Sequence, residues 1–468
     1  MRRKVADKST AGKSGICHQQ EITRKDAGMF EDAGRKLSGM VKIPTVSGKG
    51  HKEEYHIEAY RKFLKKEFAE IFAVAEEIPV GEARLLRLPG NGSKGGKPVL
   101  FTGHMDVVPA VDGKAWKYPP FSGEIAEERV WGRGAQDMKG PQCALLMALD
   151  GLLKEGWRPK REVWLYLSCD EETGGETTGT AASLLRRKGI SFAVVFDEGG
   201  TICENFMGLV EGKAAVMAVG EKGSLEYRFT ALAQGGHSAA PPKHSAIVRL
   251  GALMCEIEGT DIFRRNLSAG GRAMLRAAAE CLPAEDERRK DLLTASMEKG
   301  DYPVLHKICS QAESLLGSTI AFTMIEGGTA FNVMPRKAVL TANVRVSALE
   351  TKEEVTERLT AVAKKHDLLC EFVGGKDAVR ESDTRQPGYQ MMKACVNQVY
   401  PGLPVIPFVL GGGTDSRHFQ ELTEEIVRFS PMYAEPWQGR GVHGDNEAAN
   451  IEAVQDAARC YRALLLEL

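Results

Sequence analysis

The chain has 468 residues, with 62 Lys and Arg against 63 Asp and Glu, for a formal net charge of -1. That balance provides no basic footprint for nucleic acid or an acidic membrane surface, and no uninterrupted apolar stretch approaches a membrane span. The length exceeds what one compact core usually holds, so two domains are expected.

The chain opens on "MRRKVADKSTAGKSG", which is basic and polar. No apolar stretch follows those charges, so a secretory signal is not expected and residues 1–26 read as a flexible tail. Apolar residues then recur at helical spacing from Ala27 to Val41 and from Tyr55 to Phe72. Beyond them strands and helices alternate: "KPVLFTG", "GPQCALLMALDGLLKEGW" with Pro141 in its first turn, "REVWLYLSC", "TAASLLRRKG" and "FAVVFDEGG". Alternation of this kind predicts an α/β domain with a mostly parallel mixed sheet.

The pattern changes near Glu221. "SLEYRFTALA" and "AVLTANVRVS" alternate polar and apolar residues, as half-buried strands do, and helical stretches and a further strand, "LLCEFV", accompany them. The order β-α-β-β-α-β predicts a ferredoxin-like α+β domain. From about Ser382 the first pattern resumes. The expected division is therefore a catalytic domain over 27–221 and 377–468, with a second domain inserted at 222–376. A charged helical stretch, Arg272 to Leu316, lies within that insertion and is expected to sit on the inserted domain, its apolar face either lining a pocket or packing that domain or a dimer. Ten cysteines without a CxxC pair suggest reduced thiols and a cytoplasmic location.

Several apolar strands end in polar chemistry. His104 and Asp106 follow "PVLFT", Asp170, Glu171 and Glu172 follow "VWLYLSC", Asp197 and Glu198 close "AVVFDE", and "GGGTDSRHF", with Asp415 and His418, follows "VIPFVL". Ligand crevices of open α/β sheets lie at the carboxyl ends of strands, so these residues are expected to converge. Asp137 in "WGRGAQDMKG" and His443 in "GVHGDNE" each stand just before a helical stretch. Singly, each reads as a cap or a turn. Together, the carboxylates would repel unless a dication balanced them. Two imidazoles with three or four carboxylates suit two zinc ions sharing one carboxylate.

The motifs "FTGHMDVVP", "WGRGAQDMKG", "SCDEETGG", "FDEGG", "GGHSAAPP", "FNVMP", "GGTDSRHF" and "VHGDNE" occur in this order. In this the chain resembles the aminoacylase and carboxypeptidase S family of co-catalytic zinc exopeptidases, closest to the carboxypeptidase S branch. The resemblance runs from about Val41 to the C-terminus. It implies a zinc-exopeptidase-like catalytic domain, an inserted lid and dimerisation domain, and two Zn2+ ions, with Co2+ or Mn2+ as substitutes. It implies His104, Asp137, Glu172 and His443 as metal ligands, Asp137 being the bridging one, with one more from Asp197 or Glu198, Asp197 being favoured. Glu171 resembles the general base and Asp106 the carboxylate that orients His104. His237 resembles the lid histidine that reaches the partner subunit's site, and Asn332, Arg345 and Arg417 are candidates for binding a substrate carboxylate. The implied activity is hydrolysis of an amide next to a free carboxylate, in an N-acyl amino acid or at a peptide C-terminus, by a homodimer. A dipeptidase or aminopeptidase is the alternative within the family, and a non-catalytic binding relative the alternative outside catalysis.

Overall fold

The computed structural model describes residues 28, 30–92, 95–110, 115–299, 302–309 and 311–468, so the polar tail expected over 1–26 lies outside the described residues. Two compact units are present. The first is made of the described residues of Met1–Gly189, Met391–Leu403 and Ser430–Leu468, the second of those of Ile190–Gln390 and Pro404–Phe429.

In the first unit, β1 (Glu76–Val80), β2 (Ala83–Leu88) and β3 (Val99–His104) are followed by a hairpin of β4 (Glu124–Ala126) and β5 (Arg129–Trp131), then by β6 (Val163–Ser168). Their order is β1-β2-β6-β3. The β3–β6 pair is parallel and the β1–β2 and β2–β6 pairs are antiparallel. Every residue of β3 and β6 is buried, which accounts for their continuous apolar runs. The register sets His104 opposite Ser168. Both chains therefore leave the sheet side by side, one toward Asp106 and the other toward Glu171.

Helix Lys139–Lys154 packs against helices Ala33–Val41 and Ile451–Glu467. The helical stretch expected from Tyr55 to Phe72 is two helices, Ile57–Glu67 and Ala69–Val74, broken at Phe68. Near the C-terminus the strand Ala448–Asn450 pairs antiparallel with β5, Ala448 lying opposite Trp131. That pairing brings the segment of His443 against the loop of Asp137.

The second unit holds β7 (Val194–Asp197), β8 (Ile202–Glu204) and β9 (Lys213–Glu221), followed by β10 (Gly223–Leu232), β11 (Gly236–His237), β12 (Thr319–Gly327), β13 (Val333–Met334), β14 (Lys337–Val346) and β15 (Leu369–Lys376). The antiparallel sheet β12-β14-β10-β15 carries helices Ala246–Gly259 and Lys352–Lys365. Leu225, Tyr227 and Phe229 from the sheet pack with Leu250, Leu253, Val355 and Leu359 from those helices. This is the ferredoxin-like arrangement that the alternation predicted. β16 (Val405–Leu410) and β17 (Ile426–Arg428) complete this unit's run of mixed strands, of order β7-β17-β9-β16, with β8 on β9. Its β7–β17 and β9–β16 pairs are parallel.

The helical insertion differs from expectation. Met274, Leu275, Ala278, Leu293 and Leu305 pack with Val216, Ala218, Ile406 and Phe408, which belong to β9 and β16 rather than to the ferredoxin-like sheet. An apolar sheet face must be covered, and the insertion spends its own apolar face covering it. Among the described residues, no helix is long and apolar enough to cross a membrane.

Candidate active site

The first unit brings four expected ligands together. Asp137 stands at their centre: Oδ1 lies 3.0 Å from His104 Nε2 and Oδ2 3.1 Å from His443 Nε2. His443 Nε2 is also 3.2 Å from Glu172 Oε2. The other oxygen of Glu172, Oε1, is buried without a hydrogen-bond partner. Buried acceptors of this kind are rare and call for an explanation.

Each of these side chains is held from behind. His104 ends β3, and its Nδ1 lies 2.9 Å from the carbonyl oxygen of Asp106. With Nδ1–H donating there, Nε2 is left to act as a ligand. The carboxylate of Asp106 is farther from the ring, at 3.6 Å. It instead accepts from Ser47 Oγ at 2.7 Å and from the backbone N–H groups of Glu171 and Glu172, each at 3.2 Å. Asp106 thus steadies the imidazole with its backbone and the acidic pair with its side chain.

Glu171 and Glu172 are neighbours and would face opposite ways in a strand. Here the strand ends at Ser168 and a single 3-10 turn, Glu171–Thr173, follows. Gly174 and Gly175 take positive φ, 108° and 65°, to complete the reversal, a conformation that costs glycine little. Asp170 supports the turn by accepting from Thr177 N at 2.9 Å and Thr177 Oγ1 at 2.8 Å.

The Asp137 loop rests on a residue that sequence reasoning passed over. Glu447 is fully buried and accepts from Arg133 Nη1 at 2.7 Å and from the N–H groups of Gly134, Gln136 and Asp137 at 2.9, 2.7 and 3.1 Å. Burial raises its pKa, with the Arg133 charge opposing. Nearby, burial pushes the Lys139 ammonium down to about 7, against the pull of Glu447 and Asp106. Its Nζ donates to the carbonyls of Met40 and Ile43 at 3.2 and 2.8 Å.

The electrostatics of the cluster are those of a cation site. Burial works against ionisation of Asp137, but hydrogen bonds from His104 and His443 outweigh it and hold the carboxyl well below the usual range. Hydrogen bonds to Asp137 and Glu172 raise His443 to about 10. Asp137, Glu172 and His443 each present a ligand atom within 4.8 Å of the others. Nitrogen and carboxylate donors at this spacing, together with the orphaned Glu172 oxygen, fit a borderline divalent cation such as zinc. In the metal-free protein the protonated His443 ring is the counter-charge, so binding a cation must release that proton. Metal affinity should therefore rise with pH, by up to about tenfold per unit, until the ring titrates. Calorimetric titration between about pH 6 and pH 9 measures this, and an affinity independent of pH would remove His443 from the ligands.

The second unit carries the remaining candidates. Asp197 ends β7 buried, accepting from Ser416 N at 2.9 Å, while the half-buried Glu198 follows it. Ser416 Oγ lies 2.7 Å from Thr414 Oγ1, and Thr414 donates to Glu221 through Oγ1 at 2.7 Å and through N at 3.1 Å. Glu221 also pairs with Arg428, both of them fully buried. This pair holds the "GGGTDS" loop, and the motif gave no sign of it, because both residues read as ordinary strand-end charges.

Arg345 Nη1 donates to Gly411 O at 3.3 Å, and Arg417 Nε lies 3.7 Å from Glu221 Oε2. A Cβ on Gly413 would come within 2.7 Å of Arg417 Nη1. The two arginines therefore meet at the glycine loop. His237 and Asn332 meet elsewhere, at the two-stranded antiparallel ladder of β11 and β13: His237 pairs with Val333, and Ser238 N donates to Asn332 O at 3.1 Å. Both residues are exposed. Asp415 is buried in the 3-10 turn Asp415–Phe419, and His418 Nε2 lies 3.3 Å from Lys376 Nζ.

The mixed sheets and the metal-ready cluster belong to a metal-dependent hydrolase, with the amidohydrolase or carboxypeptidase type of activity found among its relatives. The chain belongs to peptidase family M20/M25/M40, whose model matches residues 100–467. It is 30% identical over 435 residues to the N-fatty-acyl-amino acid synthase/hydrolase PM20D1 of Mus musculus, covering 90% of this chain and 85% of that one. It is 28% identical over 377 residues to the probable carboxypeptidase S-like 2 of Dictyostelium discoideum, covering 79% and 71%. In fold it is similar to the M20 family metallo-carboxypeptidase Sso-CP2 from Sulfolobus solfataricus, with a TM-score of 0.69, 20% identity and coverage of 93% and 98%.

Proposed function

We propose that this protein is a dinuclear zinc hydrolase that cleaves the amide of an N-acyl amino acid next to its free carboxylate. The observation that carries the reading is Asp137, whose two oxygens each face a different imidazole. A carboxylate so placed suits a ligand shared by two cations. His104, Asp137, Glu172 and His443 would hold the metal, with Asp197 or Glu198 as a further ligand. Zinc bound there supplies polarisation of an amide carbonyl and a water of lowered pKa.

The protein's own groups do the rest. Glu171, set on its turn by Asp106, takes the water proton and passes it to the leaving amine. Arg345 and Arg417, converging on the glycine loop, offer planar donors to a substrate carboxylate, and Asn332 offers an amide. The mouse relative is named for N-fatty-acyl amino acids, which favours an acyl substrate over a dipeptide. A screen of purified, zinc-loaded protein against N-acyl amino acids of increasing chain length and against dipeptides tests this. Turnover of dipeptides alone would move the assignment to a dipeptidase. The nine described cysteines are free, in keeping with a cytoplasmic location.

The same reading includes a homodimer formed through the ferredoxin-like domain. β12 ends the strand order of its sheet and exposes Met324 and Ile325, at 58% and 56%. An apolar sheet edge of this kind is a template for pairing with another chain. His237, exposed on β11, would then serve the partner subunit's site. Mixing inactive His237→Ala protein with inactive Glu171→Gln protein should restore part of the activity, because one mixed site has both residues intact. A monomeric active enzyme, or mixtures that stay inactive, would remove His237 from a shared site.

A further inference from the structure

We propose that Glu447, with Arg133, is the positioning residue that preforms the metal cluster by locking the Asp137 loop to the His443 loop. The proposal rests on the metal-site reading above. Glu447 spends both oxygens on one short segment: Oε2 accepts from Arg133 Nη1 and Gly134 N, and Oε1 from Gln136 N and Asp137 N. The last of these donors is the backbone of the central carboxylate itself. Buried and taking four donors, this carboxylate has little freedom to move.

The other half of the lock runs the opposite way. Arg133 Nη2 donates to Gly444 O at 2.7 Å and Nη1 to Gly441 O at 3.4 Å, carbonyls on either side of His443. Gly132 N donates to Glu447 O at 2.8 Å, and Gln136 Nε2 to Ala448 O at 2.9 Å. The Arg133 guanidinium also lies over the Trp116 ring, 5.2 Å from its centroid. Two loops more than 300 residues apart in sequence are thereby clamped by one buried ion pair. His443 itself has φ of 58° and Asn446 has φ of 61°. Side-chain-bearing residues keep such backbone only where their surroundings enforce it, often at functional sites. The clamp therefore fixes both the distance and the direction from which His443 and Asp137 approach one another. Its geometry is addressed to the metal cluster, because the segments it joins each carry a ligand.

Glu447→Gln retains the shape, removes the charge, and turns an amide N–H2 toward donors. It should lower zinc affinity by about 10- to 100-fold, the usual effect of losing a group that orients ligands. Activity should recover in excess zinc with KM unchanged. Arg133→Lys keeps the charge but loses the two carbonyl contacts beside His443, and should weaken zinc in the same direction by a smaller factor. It also serves as the test if Glu447→Gln does not fold. Three measurements separate the outcomes: calorimetric zinc titration, the unfolding temperature of the metal-free proteins, and kcat with KM. A variant that melts earlier yet binds zinc like the unaltered protein would overturn the proposal and leave only a structural ion pair. If the unaltered protein itself binds no zinc, the metal-site reading fails instead, and the titration distinguishes the two.

Discussion

Glu171→Gln should bind zinc normally and lose turnover by roughly a hundred-fold or more, the range for a lost general base. The substitution retains the side chain's shape and removes only its basicity. The Asp106 contact that sets the turn is made to the Glu171 backbone N–H, so it survives the change. Glu172→Gln should fail in the other way. Its Oε2 faces His443 and its Oε1 is the buried orphan, so the change weakens metal binding, and excess zinc should return part of the activity. Metal titration beside steady-state kinetics separates the two. If Glu171→Gln lost metal while Glu172→Gln retained it and was inert, the roles would be exchanged.

Asp137→Asn should be the most damaging change to the cluster. The carboxylate faces two imidazoles at once, and an amide offers one oxygen and one N–H2 in their place. One ring then meets a donor, and the negative charge that both rings stabilise is gone. Removing the charge that both rings face should cost more than the roughly 10- to 100-fold in metal affinity typical of losing a group that only orients a ligand. The metal-free variant should also lose the elevated His443 pKa, for which Asp137 is the first cause. NMR titration of the ring together with zinc calorimetry tests both statements. Zinc affinity near that of the unaltered protein would show that Asp137 is not the shared ligand.

Much of this was legible in the chain. β3 and β6 are uniformly apolar and end abruptly in His104 and in the Asp170–Glu172 run, because strands buried on both faces leave no other place for polar residues than their ends. Polar and apolar alternation marked the ferredoxin-like sheet for the complementary reason, one face being packed on helices. The ordered motifs and the family they resemble nominated His104, Asp137, Glu172 and His443, while spacing alone left Glu171 and Glu172 interchangeable.

What the chain did not reveal is how those residues are held, since support comes from segments far apart in sequence. His104 and Asp106, two apart, suggested a carboxylate bonded to a ring across one face of a strand. But β3 stops at His104, the chain turns, and the Asp106 carboxylate goes to the 171–172 backbone while its carbonyl takes the ring. Glu447 and Arg133 look like ordinary charges in loops, and Glu221 and Arg428 like strand ends. Only their complete burial as ion pairs gives them a role. The helical insertion, amphipathic in sequence, could have covered either sheet, and the apolar face of β9 and β16, which it buries, decided which. Local sequence determines which residues carry chemistry and which runs must be buried, because those depend on side-chain type and spacing. Partners, charge pairing and loop geometry belong to the tertiary structure, because burial and distance exist only once the segments have met.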